Sequence, residues 1–385
     1  MRPFNRYVSA TPESGIQKIF ELSQGMKGVI HLEVGQPDFR TPENILDAIV
    51  RAGKEGFTKY TAAAGIPELR EAIARKVTEK NGFSAEAANV VVSPGAVASI
   101  MSTLVATAEP GDDILVPDPA WPNYIMQVAC LGCRAVRYPL VPSEGFQIDF
   151  DRLDTLVTPK TKVLIINTPG NPTGAVFTRD AIRKIVEFAR CHDLFIISDE
   201  VYEEIVFEGE HVSTGLFNED GRIASVFAFS KTYAVPGLRI GYAVCEKKMA
   251  ALVEKLQTPL VTCPTSVSQK ACLAALSGPQ EPVREMASEY RKRRDAVVEI
   301  LKNKGHYLYT PSGAFYILID ITDAGMDSEE FALELLREKK VAVAPGNTFG
   351  DTTRSFIRVS FTTDIDSLTE GMNILCDWID EKSGR

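Results

Sequence analysis

The chain has 385 residues, 45% hydrophobic and 24% charged, a composition typical of globular proteins with roughly two or three domains' worth of core. Its net charge of −9, with Lys and Arg interspersed among acids, argues against a nucleic-acid or anionic-membrane surface. No apolar run reaches the roughly 18–20 residues of a membrane span, and the first residues lack the apolar stretch of a secretory signal, so we expect a cytoplasmic protein with small-molecule substrates.

The seven cysteines are an odd number scattered along the chain, which favours reduced, buried thiols over a disulfide framework. Cys130 and Cys133 have C-x-x-C spacing. The chain supplies no second such pair, however, and its four histidines lie far apart in sequence. No metal site is therefore predicted.

The first strong helix signal lies near residue 42, where Thr41 can cap the helix and Pro42 can occupy its first position. From there to about residue 285, short β-branched runs alternate with helical patterns such as RDAIRKIVEFARCHD. The runs are NVVVS, DDILVPD, CRAVRYPL, KVLIINT, LFIISDE, IASVFAFS and RIGYAVC. This alternation predicts an α/β fold with a mostly parallel sheet covered by helices on both faces.

A smaller α+β unit is predicted after SGPQEPV, from a charged helical segment followed by AFYILIDI, SEEFALELLREKK, VAVAPG and SFIRVSF. The predicted organisation has an N-terminal arm with part of the small domain at residues 1–41, a large domain at 42–283 and a small C-terminal domain at 284–385.

Polar side chains follow several predicted strands at the point where each strand ends. Asp199 ends LFIISD, Asn171 lies in the turn TPGNPTG after KVLIINT, and Lys231 follows VFAFS. Because ligands gather at the carboxyl ends of the strands in an open α/β sheet, a site is predicted at this edge. Lys231 and Arg239 both lie in apolar runs, where a buried cation requires an anionic or covalent partner.

Three features near this edge have two interpretations each. The turn at Gly95 leaves the amides of Ala96 and Val97 free at a helix N-terminus, which favours a phosphate but also fits a plain strand-to-helix turn. Trp121, in the loop PDPAWPNY, could stack on an aromatic ligand or fill the core. Asp199 could cap a helix or remain ionised beside a buried cation.

Eight segments, in their order and spacing, resemble the class I and II aminotransferases of the aspartate and aromatic type, which are fold-type I enzymes that use pyridoxal 5′-phosphate. The resemblance covers about residues 28–365. The segments are GQPDF, KYTAAAG, SPGA, PAWPNY, NTPGNPTG, SDEVYEEI, SKTYAVPGLRIGY and SFIRVSF.

This resemblance implies a cofactor site. Lys231 would form the Schiff base with the cofactor aldehyde and later carry the substrate Cα proton. Asp199 would keep the pyridine nitrogen protonated, and Trp121 would stack on the ring. Asn171 and Tyr202 would hydrogen-bond the phenolic oxygen, with Asn171 also near the substrate. The phosphate would be bound by a further set of residues, namely Gly95, Ala96, Val97, Ser230 and Arg239.

The resemblance also implies a substrate site and an assembly. Arg358 would bind the substrate α-carboxylate through a bidentate fork, and the backbone at Gly35 would close over the substrate. Tyr60 would reach the cofactor phosphate of a neighbouring subunit, which implies a homodimer with shared active sites. The implied activity is transfer of the amino group of an aromatic, neutral or aspartate L-amino acid to 2-oxoglutarate or a similar 2-oxo acid by a ping-pong mechanism.

Two departures from the family pattern bear on the site. Ala228 stands where many members carry a serine, which removes one phosphate hydroxyl. Val97 stands where some acid-specific members carry a lysine, which weakens the case for aspartate as the best substrate. In addition, we expect a cis bond at Thr168–Pro169 or Asn171–Pro172, because this turn must bend sharply while aiming Asn171.

Two other functions remain open. A C–S β-lyase similar to cystathionine β-lyase would share the fold and the cofactor. A ligand-sensing regulator would need an N-terminal DNA-binding module, whereas only about thirty residues precede HLEVGQPDF.

Overall fold

The computed structural model describes residue 2 and residues 4–384. The α-helices are α1 (Arg6–Ser9), α2 (Gly15–Ser23), α3 (Glu43–Lys54), α4 (Pro67–Lys76), α5 (Ala96–Thr107), α6 (Pro122–Cys130), α7 (Phe150–Thr155), α8 (Arg179–Cys191), α9 (Phe229–Thr232), α10 (Lys247–Val261), α11 (Ser266–Ser277), α12 (Glu281–Lys304), α13 (Ser328–Lys339) and α14 (Ile365–Ser383). The strands are β1 (Ile30–His31), β2 (Val90–Ser93), β3 (Asp113–Asp118), β4 (Arg134–Val141), β5 (Gln147–Ile148), β6 (Thr161–Asn167), β7 (Phe195–Asp199), β8 (Ile223–Ala228), β9 (Gly241–Val244), β10 (Tyr316–Asp320), β11 (Val341–Ala342), β12 (Ala344–Pro345) and β13 (Phe356–Ser360).

The large sheet has the strand order β2-β9-β8-β7-β6-β3-β4-β5. Strands β4, β3, β6, β7 and β8 are mutually parallel, so the predicted mostly parallel α/β fold is confirmed. Strand β9 runs antiparallel to both of its neighbours, and β5 is antiparallel to β4. All seven runs read from the sequence as strands are strands of this sheet.

Helices cover both faces of the sheet, which explains the continuous apolar runs of its central strands. In β6, Val163 and Ile165 pack in the cluster that includes residues of α5 and α6. Leu164 and Ile166 point the other way and pack in the cluster that contains the apolar face of α8. A strand buried on both faces needs apolar side chains at every position, because successive side chains alternate in direction.

The C-terminal part contains a second, antiparallel sheet with the order β10-β13-β12. Strand β1 pairs in parallel with β11, which ties the N-terminal residues to this part of the chain. Helix α12 begins at Glu281. The division into an N-terminal arm with part of the small domain (1–41), a large domain (42–283) and a small domain (284–385) stays a prediction.

The predicted start of α3 needs a correction. Pro42 occupies the N-cap position without a side-chain cap bond, because the Thr41 hydroxyl donates instead to the Ala234 carbonyl over 2.8 Å. The expected cis geometry is present at both Thr168–Pro169 and Asn171–Pro172, and Asp118–Pro119 is also cis.

None of the helices in the described part of the chain combines the length and the apolar composition of a membrane span. Among the same residues, no group of three or more His, Cys, Asp or Glu side chains is placed to hold a metal ion.

Candidate active site

A cavity of about 290 Å³ lies where the parallel strands end, between the large sheet and the β10-β13-β12 sheet. Eleven of the thirteen residues predicted for the site line it together. They are Gly35, Ala96, Val97, Trp121, Asn171, Asp199, Tyr202, Ser230, Lys231, Arg239 and Arg358. The remaining two, Gly95 and Tyr60, are not among its lining residues.

Lys231 lies on the short helix α9, directly after β8, so the end of this strand delivers its side chain to the cavity. Its Nζ donates to the Gly35 carbonyl over 2.5 Å. Burial, reinforced by the positive charges of Arg358 and Arg239, lowers the pKa of Lys231 to about 8. A lowered pKa is what an amine needs to act as a nucleophile or base near neutral pH.

Asp199 is the last residue of β7 and is almost completely buried. It accepts hydrogen bonds from the Tyr124 hydroxyl over 2.5 Å and from the Val201 amide over 3.3 Å. Burial raises the pKa of Asp199 to about 6, although the two hydrogen bonds oppose this shift. A cation at the open side of the carboxylate, such as a protonated ring nitrogen, would therefore be stabilising.

Tyr202 and Asn171 lie near the boundary between the two sheets. The Tyr202 hydroxyl is 3.0 Å from the Tyr316 hydroxyl, and burial raises the pKa of Tyr202 well above its ordinary value. The backbone amide of Asn171 donates to Asn167 Oδ1 over 2.7 Å, which orients the turn. The Tyr202 hydroxyl therefore stays neutral across the working pH range. The Asn171 side-chain amide carries no charge at any of these pH values.

Arg358 lies on β13 and is only 1% exposed. Its Nη1 donates to Asn171 Oδ1 over 3.1 Å, its Nη2 donates to the Glu33 carbonyl, and the Tyr316 ring lies 4.3 Å away. Its Nε, also buried, has no hydrogen-bond partner among the described residues. Within the described part of the chain, this guanidinium has no carboxylate within ion-pair distance, although the charge of Glu33 acts on it. It is well suited to an anionic ligand, because a buried charge is costly to leave uncompensated.

The N-terminus of α5 also contributes to the cavity lining. Gly95 is its N-cap with φ +83°, no side chain caps the helix, and Ala96 and Val97 line the cavity. A Cβ on Gly95 would lie 2.5 Å from Arg239 Nη2, so glycine permits the guanidinium to approach the helix end. Free amides, a helix dipole and an arginine together make a good phosphate site.

Gly35 and Tyr60 have contrasting surroundings. A Cβ on Gly35 would collide with the Tyr316 hydroxyl. Tyr316 therefore packs against the Gly35 backbone, which is predicted from the sequence to close over the substrate. Tyr60 is 87% exposed. Its side chain is therefore accessible to a second subunit, whose cofactor phosphate it is predicted to contact.

Sequence reasoning missed Tyr124, Asn167 and Tyr316, all of which line the cavity. Two of them carry a usable signal, since Asn167 ends an apolar strand and Tyr124 lies one helical turn after Trp121. Tyr316 lies within the apolar run AFYILIDI, where nothing distinguishes it from a core residue.

Comparisons with known proteins agree with this geometry. The family model described as "Aminotransferase class I and II" matches residues 27–375. The chain is 37% identical over 375 residues to aromatic-amino-acid aminotransferase 2 of Thermococcus litoralis, covering 96% of each chain. It is 38% identical over 368 residues to aspartate aminotransferase of Pyrococcus abyssi, covering 94% of each. A solved structure of aspartate aminotransferase from Thermus thermophilus with maleate superposes with a TM-score of 0.93 at 35% identity, covering 98% of this chain and 100% of that one.

Proposed function

The chain belongs to the class I and II aminotransferases and is a pyridoxal-phosphate-dependent enzyme, and we propose that it transfers the amino group of an aromatic, neutral or aspartate L-amino acid to 2-oxoglutarate or a similar 2-oxo acid. The observation that carries this proposal is the meeting of Lys231, Asp199 and Arg358 in one cavity. An amine, a carboxylate and a guanidinium in that arrangement suit a reaction at the Cα of an amino acid.

The residues present fit the cofactor. The free amides at the start of α5, together with Arg239 and Ser230, suit its phosphate. Asp199 would pair with the pyridine nitrogen, a contact supported by its burial and by the hydrogen bond from Tyr124. Trp121 would cover the ring. A further pair, Asn171 and Tyr202, would bond the phenolic oxygen.

When bound, the cofactor supplies an aldehyde that captures amino groups and a ring that stores the electron pair released at Cα. Lys231 would hold the cofactor covalently through Nζ. When freed by a substrate amine, the neutral Nζ would take the proton from Cα, which its lowered pKa favours. Arg358 binds the α-carboxylate and thereby orients the Cα–H bond toward Lys231.

The charges around the cavity favour donors with neutral side chains. Among the described residues that line it, the cations are Lys231, Arg239 and Arg358, and each has a role in the steps above. None remains for the distal carboxylate of aspartate. Val97, Val34 and Ile16 add apolar surface to the lining. We therefore propose that aromatic and other neutral L-amino acids are better donors than aspartate.

The half-reaction tests this proposal directly. Protein loaded with pyridoxal phosphate is mixed with single L-amino acids without a 2-oxo acid, and the visible absorption is followed. Conversion to the pyridoxamine form, fastest with phenylalanine or leucine and slower with aspartate, supports the assignment. Release of pyruvate and ammonia from a cysteine conjugate, without conversion, would instead indicate a C–S β-lyase. A spectrum unchanged by every donor would overturn the assignment.

We also propose a homodimer in which Tyr60 reaches the cofactor phosphate of the second copy. The Thr61 amide donates to Cys263 Sγ over 3.4 Å, so Tyr60 lies near the end of α10, where Leu260 and Val261 are also exposed. A second copy would cover this apolar surface. Sedimentation at micromolar concentration should give a dimer. The Tyr60→Phe protein should bind the cofactor more weakly but remain a dimer. A monomer that binds the cofactor normally would refute this assembly.

The proposed location is the cytoplasm. All seven cysteines, each within the described part of the chain, are free thiols, as is usual for proteins of reducing compartments. Fractionation of the source cells with an antibody to the protein would test the location.

A further inference from the structure

The segment that carries Asp199 and Tyr202 faces two ways. Asp199, Val201 and Tyr202 line the cavity, whereas Glu200 and Glu203 do not. Glu200 is fully buried, and the side chain of Glu203 is only 7% exposed. Two carboxylates are therefore buried directly behind the residues proposed to touch the cofactor. Buried carboxylates need partners, because an uncompensated buried charge is strongly destabilising.

Glu200 is held by His211. The imidazole Nε2 lies 2.9 Å from Glu200 Oε2, and the Thr214 amide donates to Glu200 Oε1 over 3.3 Å. The His211 side chain is 8% exposed, and its Nδ1 is buried without a hydrogen-bond partner among the described residues. Burial lowers the pKa of His211, but the hydrogen bond and charge of Glu200, together with the charge of Glu203, raise it overall.

Glu203 is held by Lys76 from α4. Their charged groups are in direct contact, and Asn81 bridges them by donating to Glu203 Oε2 over 2.7 Å while accepting from Lys76 Nζ over 2.9 Å. The Lys76 ammonium also lies 4.4 Å from the ring of Phe227 on β8. Lys76 and Glu203 act on His211 as well, so the charged groups around this imidazole are Glu200, Glu203 and Lys76.

We propose that His211 and Lys76 are positioning residues. Through Glu200 and Glu203 they hold residues 199–204 so that Asp199 and Tyr202 face the cofactor, a role that rests on the proposed function of the cavity. When protonated, His211 also balances the charge of Glu200, which adjoins Asp199 in the chain. Without a positive charge at this position, the added negative potential would favour the protonated state of groups at the cofactor.

The test reads the bound cofactor without any substrate. Its visible absorption is titrated with pH, and its dissociation constant is measured, in wild type, His211→Leu and His211→Gln. We expect His211→Leu to raise the apparent pKa of the absorption band by roughly half a unit or more and to weaken cofactor binding about tenfold. His211→Gln keeps a donor for Glu200 but lacks the charge, so it should raise the apparent pKa while binding the cofactor more tightly than His211→Leu.

His192 provides a matched control. Its Nε2 is also 2.9 Å from a carboxylate, that of Asp154, but the Asp154 side chain is 64% exposed. His192→Leu should therefore leave the apparent pKa of the absorption band unchanged and the dissociation constant of the cofactor within about twofold of wild type, as expected for exposed ion pairs. A folded His211→Leu protein with wild-type pKa and affinity would overturn the proposal. If that variant does not fold, an unchanged apparent pKa in His211→Gln overturns it equally.

These readouts separate the two proposals. An absorption band that Lys231→Ala abolishes establishes the cofactor site in the wild type, even if no amino acid converts it. In that case the transamination proposal fails while the positioning role is still measured. Conversely, normal transamination by a His211→Leu protein with an unchanged spectrum removes only the positioning role.

Discussion

Asp199→Asn should change the stability of the protein in opposite directions with and without the cofactor. In the cofactor-free protein, the carboxylate is buried with Tyr124 as its main hydrogen-bond donor, and no cation among the described residues forms an ion pair with it. Asparagine has nearly the same shape and can still accept from Tyr124, but it carries no charge. The substitution therefore removes the charge and little else.

The expected size follows from the raised pKa of Asp199. Folding shifts it from an ordinary value of 3.8 to about 6, roughly two units, and each unit corresponds to about 1.4 kcal/mol. Because the folded state binds the proton more tightly, stability falls as pH rises from about 4 to about 6 and stays lower above that. Relative to wild type, Asp199→Asn should gain about 1.5 kcal/mol at pH 5 and about 3 kcal/mol at pH 7.5.

Urea unfolding of the cofactor-free proteins between pH 5 and 8, at one fixed protein concentration, measures this difference. Asp193→Asn is a suitable control, because this carboxylate is 98% exposed and should change the free energy of unfolding by less than about 0.5 kcal/mol. With pyridoxal phosphate bound, the sign should reverse, since asparagine cannot hold the pyridine nitrogen protonated. A cofactor-free Asp199→Asn protein that is less stable than wild type at every pH would refute this reasoning.

Three further predictions concern the chemistry. Lys231→Ala should bind the cofactor noncovalently at best and lose several powers of ten in kcat, measured as single turnovers; near-normal turnover would exclude Lys231 as the base. Arg358→Lys should mainly raise the KM for the amino donor, because lysine cannot offer the bidentate fork, and an unchanged KM would remove Arg358 from the carboxylate site. Val97→Lys should raise kcat/KM for aspartate relative to phenylalanine about tenfold or more, whereas Val97→Met, the neutral control, should not; equal ratios in the two variants would refute a distal-carboxylate contact at residue 97.

Polar residues just after predicted strands made part of the cavity lining predictable. Apolar runs locate the strands, and residues just after parallel strands lie at one edge of the sheet whichever strands are neighbours. Asp199, Asn171 and Lys231 could therefore be placed together from the sequence. The same local reasoning failed at Thr41, whose hydroxyl reaches Ala234 rather than capping α3. There a contact between residues distant in sequence overrides a local preference.

The sequence by itself therefore determined the fold class, seven of the eight strands of the large sheet and the polar residues at the ends of several of them, because these depend on local patterns and on fixed motif spacing. Only the tertiary structure decided which distant side chains meet. Arg358 bonds Asn171 across 187 positions, and Tyr202 meets Tyr316 across 114. Lys76 pairs with Glu203 across 127 positions. Such contacts depend on how sheets and helices pack in space, and a one-dimensional pattern carries no signal for that distance.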